Sequence, residues 1–465
     1  MRRFRWFALV LVLALVAAAC GRSGSSSSGT NSTTSTSGAD TTAKSPNFGD
    51  LQDVCQPGKP SGSPTQGVTP TEIRVATFAD PGFAGRPGLN QELFDTADVF
   101  AAWCNDRGGI NGRKIVVDKK DSALTNTKAR MTEACAQDFT MVGGGSVFDQ
   151  DGVETRLKCL LPDIAGYVVS TQARGADLLV QPLPNSIKSL GVGAMNYMAT
   201  KFAQDKDHLG VLTGDISTTK IVADQDAEAA KAAGWKIVYN DQYPAAGVTD
   251  WTPYAQGIKS AGVKGLIWVG EPENLAALMK SLKNISYKLD FVRTDANHYD
   301  QKLISIAGDA LSDRNVFVQS SFYPLEKANK SNATGQYLDA FKQYKPDGKS
   351  NTYLGLQAWS AWLLFAKAAK ACGNDLTRTC MFDNAKKVTS WTGGGLHATT
   401  DPGAGTSSDC YALEQATPGG FKLVTDNKPN DGIFNCTPKN VYTLKGDYGK
   451  GVTLQDVGQN ISNMK

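Results

Sequence analysis

What most constrains the fold of this chain is a repeated alternation of strand-like and helical runs. Glu72–Ala79 (EIRVATFA) is an apolar run with β-branched residues and reads as a buried strand. Gln91–Arg107 follows as a helix, with Leu93, Ala97, Phe100 and Cys104 spaced along one face. Asn90 is placed to cap its start and Gly108 to end it. Next come a strand at Lys114–Asp118, a helix near 126–138, a strand at Phe139–Val142, a helix near 151–160 and a strand at Ile164–Ser170. The rhythm restarts after Gln181-Pro-Leu-Pro184. Helix 186–202 leads to strand His208–Leu212, helix 219–233, strand Lys236–Tyr239, helix 252–261, strand Gly265–Val269, helix 273–284 and strand Leu289–Arg293. A third set holds helix 299–308, strand Asn315–Ser320 and helices near 332–344, 352–371 and 380–389. Cys410–Glu414 and Phe421–Val424 then read as antiparallel strands about the turn Pro418-Gly419-Gly420. Helices between strands imply parallel sheets covered on both faces, so the chain is α/β with two doubly wound lobes.

The N-terminal end reads as an export signal. Arg2, Arg3 and Arg5 precede an apolar run from Trp6 to Val16, and Ala17-Ala18-Ala19-Cys20 follows. The run is shorter than the roughly 20 residues that span a bilayer. Cys20 resembles the lipidated cysteine of a bacterial lipobox, with Ala17 where a Leu is usual. Residues 1–20 are therefore read as a lipoprotein signal peptide and Cys20 as the lipidation site. Of the 25 residues 21–45, 19 are Ser, Thr or Gly, so this stretch cannot build a core and reads as a tether. These features place the chain outside the cytoplasm, anchored by lipid to the outer face of the cell membrane.

Composition narrows the partners. Setting aside the three signal arginines leaves 45 basic against 45 acidic residues with no basic run, which argues against nucleic acid. Besides Cys20 there are eight cysteines, an even set that suggests disulfides in an exported chain. Proximity of the elements suggests the pairs Cys55–Cys104, Cys135–Cys159, Cys372–Cys380 and Cys410–Cys436. No C-x-x-C pair exists and His208, His298 and His397 are scattered, so neither a metal site nor another cofactor is expected.

In doubly wound sheets ligands bind at the carboxyl ends of the strands, so the loops leaving each strand carry the chemistry. The first unit offers Asp80-Pro-Gly-Phe-Ala-Gly85, Gly143-Gly-Gly-Ser146 and Ser170-Thr171: backbone amides and hydroxyls that suit an anionic or hydroxyl group. The second offers Asp215 to Ser217, Glu271 with Glu273, and Asp295: carboxylates that suit an ammonium or polyol. Candidate ligand contacts are Asp80, Ser146, Ser170, Thr171, Ser217, Glu271 and Asp295. Each such residue equally suits a turn or a helix cap. No phosphate loop and no G-x-S-x-G motif appears, so no catalysis is expected.

Between about Val68 and Gln415 the chain resembles the type 1 periplasmic binding proteins of the branched-chain amino acid receptor group. Asn105-Asp-Arg-Gly-Gly-Ile-Asn-Gly-Arg-Lys114 resembles that family's turn after the first helix. Gly143-Gly-Gly-Ser146, Asp250-Trp-Thr-Pro-Tyr254 and the helix Ala358–Ala371 resemble further family segments. The family's aromatic in the loop Asp215-Ile-Ser-Thr-Thr219 is absent, and the Asp80–Asn90 loop is longer. The resemblance implies two lobes joined by three crossovers, expected near 184–188, 294–298 and 392–397. Lobe one would take 68–186 with 297–392, and lobe two 187–296 with 393–465, after a tether and extension at 21–67. The resemblance also implies a monomeric receptor that closes on a small polar molecule (an amino acid, amide or organic acid). It would deliver this ligand to an ABC permease and ATPase complex; a sensor serving a membrane signalling partner is the alternative. On the family pattern Ser146, Ser170 and Thr171 would hold a carboxylate, and Glu271 or Glu273 an ammonium.

Overall fold

The computed structural model describes residues 44–62, 65–330 and 332–464. The signal peptide, Cys20 and the tether up to residue 43 lie outside the described residues. Strands β1 (Glu72–Ala79), β2 (Lys114–Asp121), β3 (Thr140–Val142), β4 (Asp163–Ile164) and β5 (Leu179–Val180) form the first sheet. They alternate with helices α1 (Gln91–Asn105), α2 (Thr127–Gln137), α3 (Gln150–Lys158) and α4 (Thr171–Arg174). The order is β2-β1-β3-β4-β5 and all pairs are parallel. β1 is central, and its Ile73, Val75, Ala76 and Phe78 are buried, which explains an apolar run rather than an alternating one.

The second lobe opens with β6 (Ser189–Gly191) and α5 (Gly193–Lys201). It continues through β7 (Leu209–Gly214), α6 (Ser217–Ala232), β8 (Ile237–Tyr243), α7 (Thr252–Ser260), β9 (Gly265–Val269), α8 (Pro272–Asn284), β10 (Phe291–Thr294), α9 (Gln301–Ala307) and β11 (Val316–Ser320). Helices α10 (Ala333–Tyr344), α11 (Tyr353–Ala371) and α12 (Arg378–Lys386) return to lobe one. The last strands are β12 (Cys410–Thr417), β13 (Gly420–Leu423), β14 (Asn435–Cys436) and β15 (Val441–Thr443). The second sheet runs β13-β12-β11-β10-β9-β7-β8, parallel from β8 to β11 and antiparallel beyond. The architecture is the expected two-lobed α/β fold.

Helix α11 is apolar almost all round because it lies in the core of lobe one. Its Trp359 and Trp362 are fully buried, and Trp362 stacks on Phe100 of α1 at 5.5 Å. Phe48 of the N-terminal extension joins this cluster, 5.4 Å from Trp359. The Cys55–Cys104 disulfide fastens the extension to α1, and all four expected cysteine pairs are present.

Several boundaries differ from the sequence reading. The segment 297–392 is divided between the lobes, not held in lobe one. α9 packs on α8, and β11 hydrogen-bonds parallel to β10 with Val316 opposite Val292, completing a β-α-β unit of the second sheet. The second crossover therefore follows β11, near Ser321, instead of lying at 294–298. Residues 189–191, read as part of a helix, form β6 because β15 pairs with them. The strand read at 164–170 is only Asp163–Ile164, since Gly166 and Tyr167 turn back to bond the Gly144 carbonyl.

The three crossovers lie against one another. Phe322 and His397 form an antiparallel bridge, Tyr323 N–H donates to Leu396 O at 2.8 Å, and Thr400 Oγ1 donates to Pro182 O at 2.6 Å. The C-terminal extension, placed wholly in lobe two by the sequence reading, spans both lobes. Glu228 on α6 holds it by the amides of Lys445 and Gly446 and the Tyr448 hydroxyl, at 2.7–2.9 Å. It then crosses to lobe one, where Val452 N–H donates to Gln172 O and Asp177 N–H to Val452 O. Met464 O accepts from Thr379 at 2.7 Å. At this crossing Gly451 and Gly175 touch backbone to backbone: a Cβ on Gly451 would lie 1.8 Å from Gly175 O. Any larger residue there would push the strap off lobe one.

Candidate functional site

The loops at the carboxyl ends of both sheets face one cleft, as the doubly wound topology requires. The cleft has two adjoining chambers, one of about 400 Å³, termed the inner chamber, and one of about 580 Å³, termed the outer chamber. Arg86, Val147, Ile216, Thr219, Gly270 and Glu271 line both. Arg86 is a lobe-one side chain from the long loop between β1 and α1, and it reaches across to lobe two. It bonds Glu271 through Nη1, while Nη2 and Nε donate to the two oxygens of Glu273 at 2.7 and 3.1 Å. Lys302 of α9 donates to Glu273 at 2.8 Å. Burial alone would push Glu273 up, but the Arg86 charge and the Lys302 hydrogen bond hold it below the ordinary carboxylate range. A second bridge joins the lobes: Lys349 Nζ lies 2.9 Å from both Glu92 of α1 and Asp300 at the start of α9.

The nominated lobe-one residues serve the loops rather than the cleft surface. Asp80 is fully buried and accepts from Leu124 N–H, Val147 N–H and Ser146 Oγ at 2.9, 2.9 and 3.2 Å. It ties three loops together, and burial raises its pKa against those hydrogen bonds. Ser146 also meets Thr127 Oγ1 at 3.0 Å, and lines a small cavity of about 30 Å³ behind Tyr167 and Val168, which also line the inner chamber. Ser170 caps α4 by accepting from Ala173 N–H at 3.1 Å. Its amide and that of Val169 donate to Asp149, whose carboxyl is pushed up to about 6 by burial. Thr171 is buried behind it. Ser217 is exposed at the start of α6, while its neighbours Ile216, Thr218 and Thr219 line the cleft. Of the seven nominated contacts, Glu271 and Asp295 face the larger chambers.

Residues that sequence reasoning passed over supply most of the polar lining. Arg86, Glu92, Asp226, Arg293, Asp300 and Lys349 all line the inner chamber. Arg293 Nη1 and Asp226 Oδ2 pair at 2.6 Å, both nearly buried. Burial pushes the Asp226 carboxyl up, opposed by the Arg293 charge. On the same wall Thr218 Oγ1, Gln225 Nε2, Arg293 Nε and Asn297 Oδ1 make no hydrogen bond among the described residues. Asn90 Nδ2 donates to the Tyr167 hydroxyl on the opposite wall at 2.7 Å. In the outer chamber Tyr243 stacks on Trp268 at 4.8 Å and 11°. The signal that could have found Arg86 was its position in the expanded loop after β1, a strand-end loop from which only Asp80 was singled out.

Among the described residues no helix is long and apolar enough to cross a membrane, and no three His, Cys, Asp or Glu side chains cluster as metal ligands do. A family model described as "Periplasmic binding protein" matches residues 161–420. No curated protein sequence matches significantly. Among solved structures, a fatty acid ABC transporter substrate-binding protein from Thermomonospora curvata is 15% identical, with TM-score 0.68 over 82% of this chain and 96% of that one. A branched-chain amino acid ABC transporter protein from Thermus thermophilus with bound valine is 16% identical, with TM-score 0.62 over 76% and 96%. A Leucine binding protein from Thermotoga maritima is 13% identical, with TM-score 0.61 over 76% and 97%. At these identities the shared property is the fold.

Proposed function

Because this chain belongs to the periplasmic binding protein family, we propose that it is an extracytoplasmic solute receptor that closes on a small molecule and delivers it to an ABC importer. One observation carries the reading: the strand-end loops of two lobes meet over one cleft and are bridged across it by Arg86 with Glu271 and Glu273. The solved relatives with the same fold are named as transporter binding proteins for amino acids and for a fatty acid. Lobe one is assigned 68–180 with α10 to α12, and lobe two β6 to β11 with β12 to β15, the crossovers and the C-terminal strap joining them.

The mechanism follows from the bridges. A ligand in the cleft touches both lobes only when they are together, so it favours the closed form by its differential affinity for that form. Arg86 and Lys349 lower the cost of closing, and the importer distinguishes closed from open receptor. A thermal-shift screen over amino acids, amides, sugars and alkyl-chain compounds, followed by small-angle scattering with each hit, tests this. A saturating hit should shrink the radius of gyration. Glu271→Ala should weaken it at least about tenfold, since a charged hydrogen bond contributes roughly 1.5–3 kcal/mol. A screen without hits, or a hit that leaves the radius unchanged, counts against a closing receptor.

The same reading makes Cys20 the lipid anchor that keeps the receptor beside its importer, supported by the charged, apolar and small-residue order before it. Metabolic labelling with a lipid precursor should mark the parent chain and not Cys20→Ser; equal labelling of both removes the anchor assignment.

A further inference from the structure

The chemistry of the two chambers narrows the ligand, given the receptor reading above. The inner chamber is polar on its lobe-two wall. Thr218 and Gln225 are each only 1% exposed, and Arg293 5%, yet each lines the chamber and carries a polar atom without a hydrogen-bond partner among the described residues. Buried polar groups are normally hydrogen-bonded, so four unmatched atoms on one wall mark where a ligand's polar end completes the network. Gln225 Nε2 and Arg293 Nε can only donate, Asn297 Oδ1 accepts, and Thr218 Oγ1 does either. The matching head group therefore both donates and accepts.

Charge then restricts that head. Every cation lining the cleft is already neutralised: Arg86 by Glu271 and Glu273, Lys349 by Glu92 and Asp300, and Arg293 by Asp226. Asp295 on the same wall has His298 at 3.3 Å, and Asp215 lines the outer chamber. Carboxylates outnumber cations, so a ligand carboxylate would meet repulsion and find no unpaired positive partner.

The outer chamber differs in kind. Phe83, Leu89, Phe148, Tyr243, Pro244 and Ala246 line it, together with Arg86, Asp215, Glu271 and Glu273. It adjoins the inner chamber at Val147, Ile216 and Gly270, beside the Arg86 bridge. Together the chambers measure far more than a single amino acid fills, and drug-sized ligands occupy about 300–1,000 Å³.

We propose that the ligand has two parts: a head without negative charge that donates and accepts hydrogen bonds at Thr218, Gln225, Arg293 and Asn297, and an apolar tail that passes Arg86 into the outer chamber. Titration calorimetry on the full chain tests it with five probes: butanamide, octanamide, octylammonium, octanoate and L-leucine. Octanamide should bind at least tenfold more tightly than butanamide, because added methylenes bury apolar surface, and more tightly than octylammonium, which cannot accept a hydrogen bond, octanoate and L-leucine. Ala246→Glu, at an exposed position of the outer chamber, should bring octanamide to within a few-fold of butanamide. Thr218→Val with Gln225→Leu should weaken every amide at least tenfold. Tightest binding by octylammonium, octanoate or L-leucine overturns the proposal and leaves the receptor reading standing. Equal affinity for the short and long amides overturns the tail in the same way. No binding by any probe overturns the proposal, while the receptor reading answers to its own screen and scattering test.

Discussion

His397 shows how one residue's role depends on what surrounds it. Its Nδ1 sits 2.7 Å from Ala398 O, which can only accept, so Nδ1 carries the proton and Nε2 accepts from Ser360 Oγ at 2.8 Å. Ser360 in turn accepts from Trp391 Nε1 at 2.9 Å. The ring is neutral and buried on the third crossover, and burial pushes it down from 6.5 to about 4. The unfolded chain binds a proton below about 6.5 that the folded chain refuses until about 4. Folding stability is therefore complete above that window and falls as pH drops through it, by roughly 3 kcal/mol. Denaturant melts should show the stability gap between the parent and His397→Gln narrowing from pH 6.5 to pH 4. A constant gap would reject a neutral buried histidine. At this scale the sequence was least legible. Glu271 and Asp295 were picked from the same kind of loop as Asp80 and Ser146, and a loop acid looks alike whether it meets a ligand or gathers amides. Which way it points depends on neighbours such as Leu124 and Val147 that reach it only in the folded chain.

At the scale of elements the chain was far more legible, because period and punctuation are local. Strands β1, β7 and β9 and helices α1, α8, α10 and α11 lie within a few residues of where apolar spacing put them. The four cysteine pairs agree as well, since each joins elements already expected to be neighbours. Errors arose where a partner distant in sequence decides. β6 is a strand only because β15, about 250 residues later, pairs with it. Similarly, α9 and β11 look like any other β-α-β repeat, and nothing local says which sheet they extend. The edge of β10, with Val292 opposite Val316, decides it. Asn90 stands at the N-cap of α1 as expected, but with φ of 56° and no side-chain cap hydrogen bond, its amide donating to Tyr167 instead.

For the whole molecule, the two-lobed plan followed from the doubled β-α rhythm, but how the lobes are held did not. Cross-cleft bridges at Arg86 and Lys349 and the crossover bridge of Phe322 with His397 join residues 49 to 187 positions apart, where no periodicity signals a partner. The C-terminal strap has a consequence for the speed of binding. Between Tyr448, held by Glu228, and Val452, held by Gln172, only three residues separate the lobes' two attachments. Fully stretched, the four Cα–Cα steps from 448 to 452 reach about 14 Å, which bounds how far these two attachment points can move apart without tearing one loose. A receptor limited in this way admits ligands through a narrow gap, so its association rate should be lower than diffusion and orientation alone would allow. Glu228→Ala releases one end of the strap without touching either chamber. Stopped-flow binding should then be faster with dissociation rising in step, and an unchanged association rate would mean the strap sets no limit. Selectivity in this protein would then lie partly in passage time, with bulky solutes refused at the gap before any side chain in the cleft can test them.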